Sequence, residues 1–237
     1  SDQSMNVCRS VDTSCEVDRV LSAPAGRASQ MNAGARVARG DVLLFLHIDT
    51  VLPSFIPAAL LKIGTGKHRP RWGRFDLRLT GRRPVFRGIE FMINLRSRLT
   101  GIATGDQAIF VQRELFLQVG GFPDLPLMED VQISKVLKRR AGRPLCLRET
   151  VVSDSRHWER RGVLRTVTLM WRLRLAYFLG GDPQALHRRY YGREAPRPGV
   201  RLSAPESVRA ATDDANAGMV FFARTPVPGK VKTRFIP

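Results

Sequence analysis

Two acidic stations carry the chemistry this chain can offer. The run Val42-Leu43-Leu44-Phe45-Leu46-His47-Ile48-Asp49-Thr50 is apolar until it ends in a histidine and a carboxylate. Later, Met128-Glu129-Asp130 sets two adjacent carboxylates at the head of a helical pattern, just after a Gly-Gly-Phe-Pro turn. A carboxylate at the end of a strand can hold a divalent cation, and a second on a separate loop can take a proton from a hydroxyl. Those two jobs together are what metal-assisted transfer from a diphosphate-linked sugar donor requires.

Each of these residues also has a plainer reading. Asp49 can be a turn residue closing a strand. His47 can ligate a cation, contact a phosphate oxygen or fill space; Mg²⁺ prefers oxygen whereas Mn²⁺ tolerates imidazole, so a histidine here favours Mn²⁺. Glu129 and Asp130 can serve only as acids at a helix start, where the helix dipole favours them. Asp106 and Gln107 follow a glycine at a strand edge and fit either an acceptor site or ordinary turn chemistry. Arg27 can reach a diphosphate or lie in solvent. Trp158 can offer a flat apolar face to an acceptor or pack in the core.

The elements that must position these residues alternate along the chain. Val20 to Ser22 reads as a strand end, Arg27 to Arg39 as an Ala-rich helix stopped by Gly40, and Val42 to Leu46 as a buried parallel strand. Residues 57–63 read as a helix, Arg71 to Leu79 as a strand and Pro84 to Leu99 as a helix. A short strand over Ala108 to Val111 precedes a helix over Arg113 to Val119, which Gly120-Gly121 ends. Val131 to Arg140 is helical by pattern, and Leu145 to Leu147 is a strand. Such alternation predicts an open α/β sheet, in which ligands bind at the carboxyl ends of strands, where Asp49 falls. Gly192 to Ala217 is aperiodic and reads as a linker. Met219 to Ala223 then starts a new strand, with a loop rich in Gly, Lys and Arg after it.

The net charge is +18. Ten Lys/Arg against two acids in residues 67–98, and eleven against three in residues 156–201, supply sixteen of those charges. The excess favours anionic partners, although 33 arginines against 6 lysines also fits GC-rich codon usage. Nucleic acid is disfavoured, because aromatics are sparse in the basic stretches and no RNA-binding motif appears. Cys8, Cys15 and Cys146 make no ligand or disulfide pattern, and Cys146 reads as a small core residue. Val163 to Leu179 is the most membrane-like segment, but Arg165, Arg172 and Arg174 interrupt it. It fits an amphipathic helix packed on a core or lying in a membrane interface. The expected location is cytoplasmic, with a peripheral place at the inner membrane face as the alternative that the interface reading of this segment leaves open.

Taken in order, these motifs resemble the family 2 glycosyltransferases of the GT-A fold, in the bacterial branch of radical-SAM/selenodomain-associated transferases. Asn32 and Gly34, followed by Ala38-Arg39-Gly40-Asp41, are similar to that family's segment between donor loop and acidic motif. His47-Ile48-Asp49 stands in the place of its Asp-x-Asp element, with histidine at the first position. Gly105-Asp106-Gln107 and Gly120-Gly121-Phe122 precede Glu129-Asp130 as they do there, and Arg156-His157-Trp158 resembles a later Arg-Trp element near the acceptor.

The resemblance implies an inverting transferase on a GT-A, Rossmann-like α/β sheet with flanking helices. Asp130 would be the catalytic base with Glu129 beside it, and Asp49 and His47 would hold Mn²⁺ or Mg²⁺. Arg27 and Asn32 would serve the nucleotide-sugar donor, and Asp106, Gln107 and Trp158 a small-molecule or lipid acceptor. Two elements of the family are missing: a strand ending in Pro-x-x-Asn-Glu and a second carrying Asp-Gly-(Gly/Ser)-Ser. The transferase-like domain is therefore expected over residues 1–191, short of its first strands, with a linker over 192–217. Residues 218–237, ending in Pro226-Val227-Pro228-Gly229-Lys230-Val231-Lys232-Thr233-Arg234, resemble the opening loop of a companion nucleotide-binding transferase. A non-catalytic anion-binding protein, for RNA or a membrane surface, on the same scaffold is the rival expectation.

Overall fold

In the computed structural model the described residues are 20–24, 26–47, 49–53, 63, 70–192, 217–222 and 231–236. Their strands are β1 (Val20–Ala23), β2 (Val42–His47), β3 (Thr50–Val51), β4 (Trp72–Leu79), β5 (Phe110–Gln112), β6 (Leu145–Ser153), β7 (Ala217–Phe222) and β8 (Val231–Ile236). They form one mixed sheet in the order β1-β8-β7-β2-β5-β4-β6-β3, around a block of five strands from β2 to β3. The helices are α1 (Arg27–Val37), α2 (Pro84–Thr100), α3 (Arg113–Gln118), α4 (Glu129–Ala141), α5 (Arg156–Arg161), α6 (Val163–Phe178) and α7 (Pro183–Tyr191). The expected mixed α/β class is what the chain adopts. No helix among the described residues is long and apolar enough to cross a membrane.

Strand β2 shows why the class was readable. Its residues are buried on both faces: Leu43 and Phe45 enter one core, while Val42, Leu44 and Leu46 enter the other. A strand apolar at every position from Val42 to Leu46 is stable between two layers, which is the doubly covered arrangement of α/β sheets. On the first side Phe45 stacks with Phe116 and Phe122, with ring centroids 5.0 and 4.9 Å apart. On the second side Phe75 and Phe110 meet edge to face.

Pairing directions set one rim of the sheet apart. β2 is parallel to β7 and antiparallel to β5; β4 is antiparallel to β5 and parallel to β6. β8 runs antiparallel to both β7 and β1. The carboxyl ends of β1, β7, β2, β4 and β6 therefore share one rim. The start of α1, the pair His47 and Asp49, Thr80-Gly81 and the Ser153–Arg156 turn all sit on it.

Several elements differ from expectation. β6 runs to Ser153, longer than the apolar Leu145–Leu147, because its later half pairs with β4 and β3. The last six residues before Pro237, expected as loop, form β8 against β7 and β1. β7, expected over Met219 to Ala223, begins at Ala217 and pairs along its whole length with β2, from Val42↔Ala217 to His47↔Phe222. Residues 1–18, 57–62 and most of the expected linker lie outside the described residues.

Three of the arginines in residues 67–98 are structural. Arg74 is fully buried, donates to Ser97 Oγ and the Asn94 carbonyl at 3.1 Å, and pairs with Asp76. Arg98 grips both oxygens of the same Asp76 at 2.7 Å. Arg87 bonds Glu90 and the carbonyls of Leu79 and Gly81. The side chains of Asn94 and Glu90 take up the backbone groups of Leu77 and Leu79, which fixes α2 onto β4. These arginines hold the scaffold together, so they are not free to act on a substrate.

Candidate active site

Asp130 occupies the first turn of α4, and its placement is overdetermined. Its Oδ2 accepts the Gly105 N–H at 2.9 Å, while Oδ1 accepts the Val131 N–H at 2.7 Å. The Gly105 loop is fixed in turn by Ser134 of α4, which bonds both the N–H and the carbonyl of Ala103 at 3.1 Å. Met128 directly before the helix has φ of 69°, a left-handed conformation that a non-glycine residue adopts at a cost. The chain turns sharply there, and this turn carries the two acids to the rim.

Gly105 faces His47 so closely that a Cβ on it would lie 2.7 Å from the His47 Nε2. Only glycine permits that approach. His47, Glu129, Asp130, Gly105 and the apolar side chains of Met31, Phe45, Ile109 and Phe122 enclose a cavity of about 10 Å³. That is room for about one water, so it can shield the imidazole and the carboxylates but cannot house a sugar. Burial pushes the His47 imidazole down to about 4, reinforced by Arg27 and opposed by Asp49 and Asp130. The ring is thus neutral near pH 7 and keeps a lone pair.

Glu129 is buried and salt-bridged to Arg27, with Nε to Oε1 at 2.7 Å and a second contact at 3.2 Å. Burial pushes its carboxyl up to about 7, with the Arg27 guanidinium pulling the other way and Asp130 adding to the rise. Burial also works against the charge on Arg27, but Glu129, Tyr191 and Asp130 outweigh it and raise its pKa. Arg27 therefore stays charged and ties the start of α1 to the start of α4. This partner, from a residue expected to reach the donor, was not readable from local sequence.

Asn32 is buried in α1 and gives its amide to the Phe122 backbone: Nδ2 donates to the carbonyl at 2.8 Å and Oδ1 accepts the N–H at 2.9 Å. It clamps the Gly-Gly-Phe loop behind the acids, and both ends of its amide are engaged there. Gln107 is fully buried and closes a capping box with Thr104, and its Nε2 donates to Asn94 at 3.3 Å. Both side chains shape the site from behind it. Asp106 differs, since its Oδ1 is buried with no hydrogen-bond partner.

Asp49 is exposed on the rim just after β2, and the hydroxyl of the adjacent Thr50 is buried without a partner. β3 then carries the chain across to pair with β6 at Thr50↔Ser153. Beyond it lies an open groove of about 610 Å³, edged by Arg82, Arg83 and Arg156. Trp158 belongs to that side, half-buried against the core of Phe75, Leu77 and Phe86, and it packs rather than standing free. The structure thus joins His47, Asp130, Glu129 and Arg27 in one neighbourhood, leaves Asp49 at its mouth, and places Trp158 apart.

Among the described residues no three His, Cys, Asp or Glu side chains gather into a metal cage. Asp49 and the neutral His47 supply two side-chain ligands at most, which fits a cation that brings most of its ligands with a bound diphosphate. The sequence motifs include Met128 and Gly105 but give neither a role of its own, because backbone φ and close approach are set by packing. No family model, curated protein or solved structure matches this chain.

Proposed function

We propose that the chain is a GT-A-type inverting glycosyltransferase, moving a sugar from a nucleoside-diphosphate donor to an acceptor hydroxyl. The observation that carries this reading is the fixed carboxylate of Asp130, held by Gly105 directly beside His47 at the carboxyl rim of the parallel strands. In the proposed reaction Asp130 accepts the hydroxyl proton while the acceptor oxygen bonds to the anomeric carbon. The carbon–oxygen bond to the diphosphate breaks at the same centre, and its electron pair leaves with the nucleoside diphosphate. Asp49 and His47 would hold Mn²⁺ or Mg²⁺, which neutralises charge on that leaving group. Arg27, through Glu129, keeps the loop of the base in place.

Two variants test the reading. Mn²⁺ with UDP should raise the thermal midpoint, since ligands that bind the native state stabilise it, and Asp49→Asn should abolish the rise while the free protein stays folded. Asp130→Asn should lower single-turnover sugar transfer by roughly 10² or more with little change in UDP binding. Near-normal transfer in Asp130→Asn would remove the base assignment, and an unchanged Mn²⁺–UDP shift in Asp49→Asn would remove the cation site.

A further inference from the structure

Behind Asp130 lies a group of charges that the proposed reaction does not use. Arg96 of α2 feels the charges of Arg174 of α6, Asp106 and Asp130, and the Nε atoms of both arginines, with one Nη of Arg96, are buried without a hydrogen-bond partner. The Oδ1 of Asp106 is likewise buried and unpartnered. Burial and the nearby Arg174 push the Arg96 guanidinium down to about 10, against the pull of Asp106 and Asp130. Two like charges within electrostatic reach of each other, both half-buried and with buried donors left unused, are costly unless an anion joins them. Helix α6 is fixed beside Asp130 by the Tyr177 hydroxyl, which bonds Gln132 of α4 at 3.0 Å.

The outer surfaces of the same two helices are apolar. On α2, Val85, Met92, Leu95 and Leu99 follow one another at helical spacing and stand in solvent, as does Phe91. On α6, Leu164, Trp171, Leu175 and Phe178 do the same. Arg96 lies one turn from Met92 and Leu99, and Arg174 one turn from Trp171 and Phe178. Each unsatisfied arginine is therefore flanked by its own helix's exposed apolar stripe, an arrangement suited to a molecule with an anionic head and an apolar chain.

We propose that the acceptor is an amphiphilic phosphate ester with a free hydroxyl, its phosphate held by Arg96 and Arg174 and its chain laid on α2 and α6. This rests on the transferase reading and names its acceptor class. The hydroxyl then points toward Asp130, with Asp106 as a second acceptor for the head group. A solvated phosphate alone lacks the chain that would use the stripes, and a neutral lipid leaves the arginines unpaired.

The test measures binding of lauroyl lysophosphatidate, monolauroyl glycerol and glycerol 3-phosphate to the full chain by calorimetry, with the lipids below their micelle concentrations. Lysophosphatidate should bind roughly tenfold or more tightly than either comparison ligand, and Arg96→Gln with Arg174→Gln should remove that advantage. Leu99→Ser with Phe178→Ser, both at exposed positions, should weaken lysophosphatidate while leaving glycerol 3-phosphate unchanged; this pair carries the test should the arginine variant not fold. Equal binding of glycerol 3-phosphate would reduce the site to one for free phosphate, and equal binding of monolauroyl glycerol to an apolar patch. Either overturns the proposal, as does a double arginine variant that binds lysophosphatidate normally. Mn²⁺–UDP stabilisation, measured in parallel, keeps the two readings separate: its loss with lysophosphatidate binding intact strikes the transferase assignment, and the reverse strikes this one.

Discussion

The burial of Glu129 gives the site a pH signature. The Glu129 carboxyl is raised from 4.5 to about 7 in the folded chain, by burial first, against the pull of Arg27. Below pH 4.5 both folded and unfolded states hold the proton, and the contribution to stability is full. As pH rises from there to 7 the unfolded state has released its proton and the folded state has not, so stability falls, levelling off above the folded pKa. Urea unfolding of the wild type and Glu129→Gln across this window should show the slope in the former and its absence in the latter; parallel curves would contradict it. Gly105 makes a second test. In Gly105→Ala the new methyl meets the His47 Nε2 at 2.7 Å, so imidazole or loop must shift. A loss of about 1–3 kcal/mol is expected by chemical denaturation, with a change in the His47 ring resonances by NMR. A variant with unaltered His47 signals would show that the approach is looser than described.

At the scale of elements, the site depends on how α1 and α4 are tied to the loops between them. Asn32 holds the Phe122 backbone from α1, Phe122 is wedged between Phe45 and Phe116, and Ser134 holds Ala103 from α4. Asn32→Ala removes the partner of a buried N–H and a buried carbonyl, which should cost about 1–3 kcal/mol for each group left unsatisfied. If Asn32 served the donor directly, the variant would instead lose UDP affinity at unchanged stability. Comparing the melting midpoint with UDP titration separates the two. These ties were not legible in the sequence. The reading placed Asn32 at the donor by motif order, whereas the side chain reaches a backbone ninety residues away.

The whole sheet raises a question of construction. β2 has β5 on one side and β7 on the other, and β7 comes from the far end of the chain. An apolar strand left with an open edge is prone to pair with other molecules. A chain ending at residue 216 should therefore lose amide-exchange protection along Val42–His47 and aggregate more readily than the full chain. Were residues 217–237 an independent unit, as the sequence reading expects of the segment from 218, exchange in β2 would not change. The same comparison by Mn²⁺–UDP thermal shift would show whether the rim at His47 needs β7 beside it.

Local sequence determined the class of the fold and where the candidate histidine and carboxylates fall in it. The all-apolar run of β2 requires cover on both faces, and the run ends where His47 and Asp49 emerge; the Gly-Gly-Phe-Pro turn forces a break before Glu129 and Asp130. Those features follow from periodicity and from residues whose backbone preferences are local. Tertiary structure alone decided the partners. That Glu129 belongs to Arg27, Asp130 to the Gly105 N–H and Arg74 to Asp76 and Ser97 depends on which surfaces meet across the sheet. The same holds for the buried, unpartnered guanidinium nitrogens of Arg96 and Arg174, two arginines that composition could only count. Charge and hydrogen-bonding capacity are written in each residue, but burial and distance fix what that capacity is used for, and both arise only when distant segments pack.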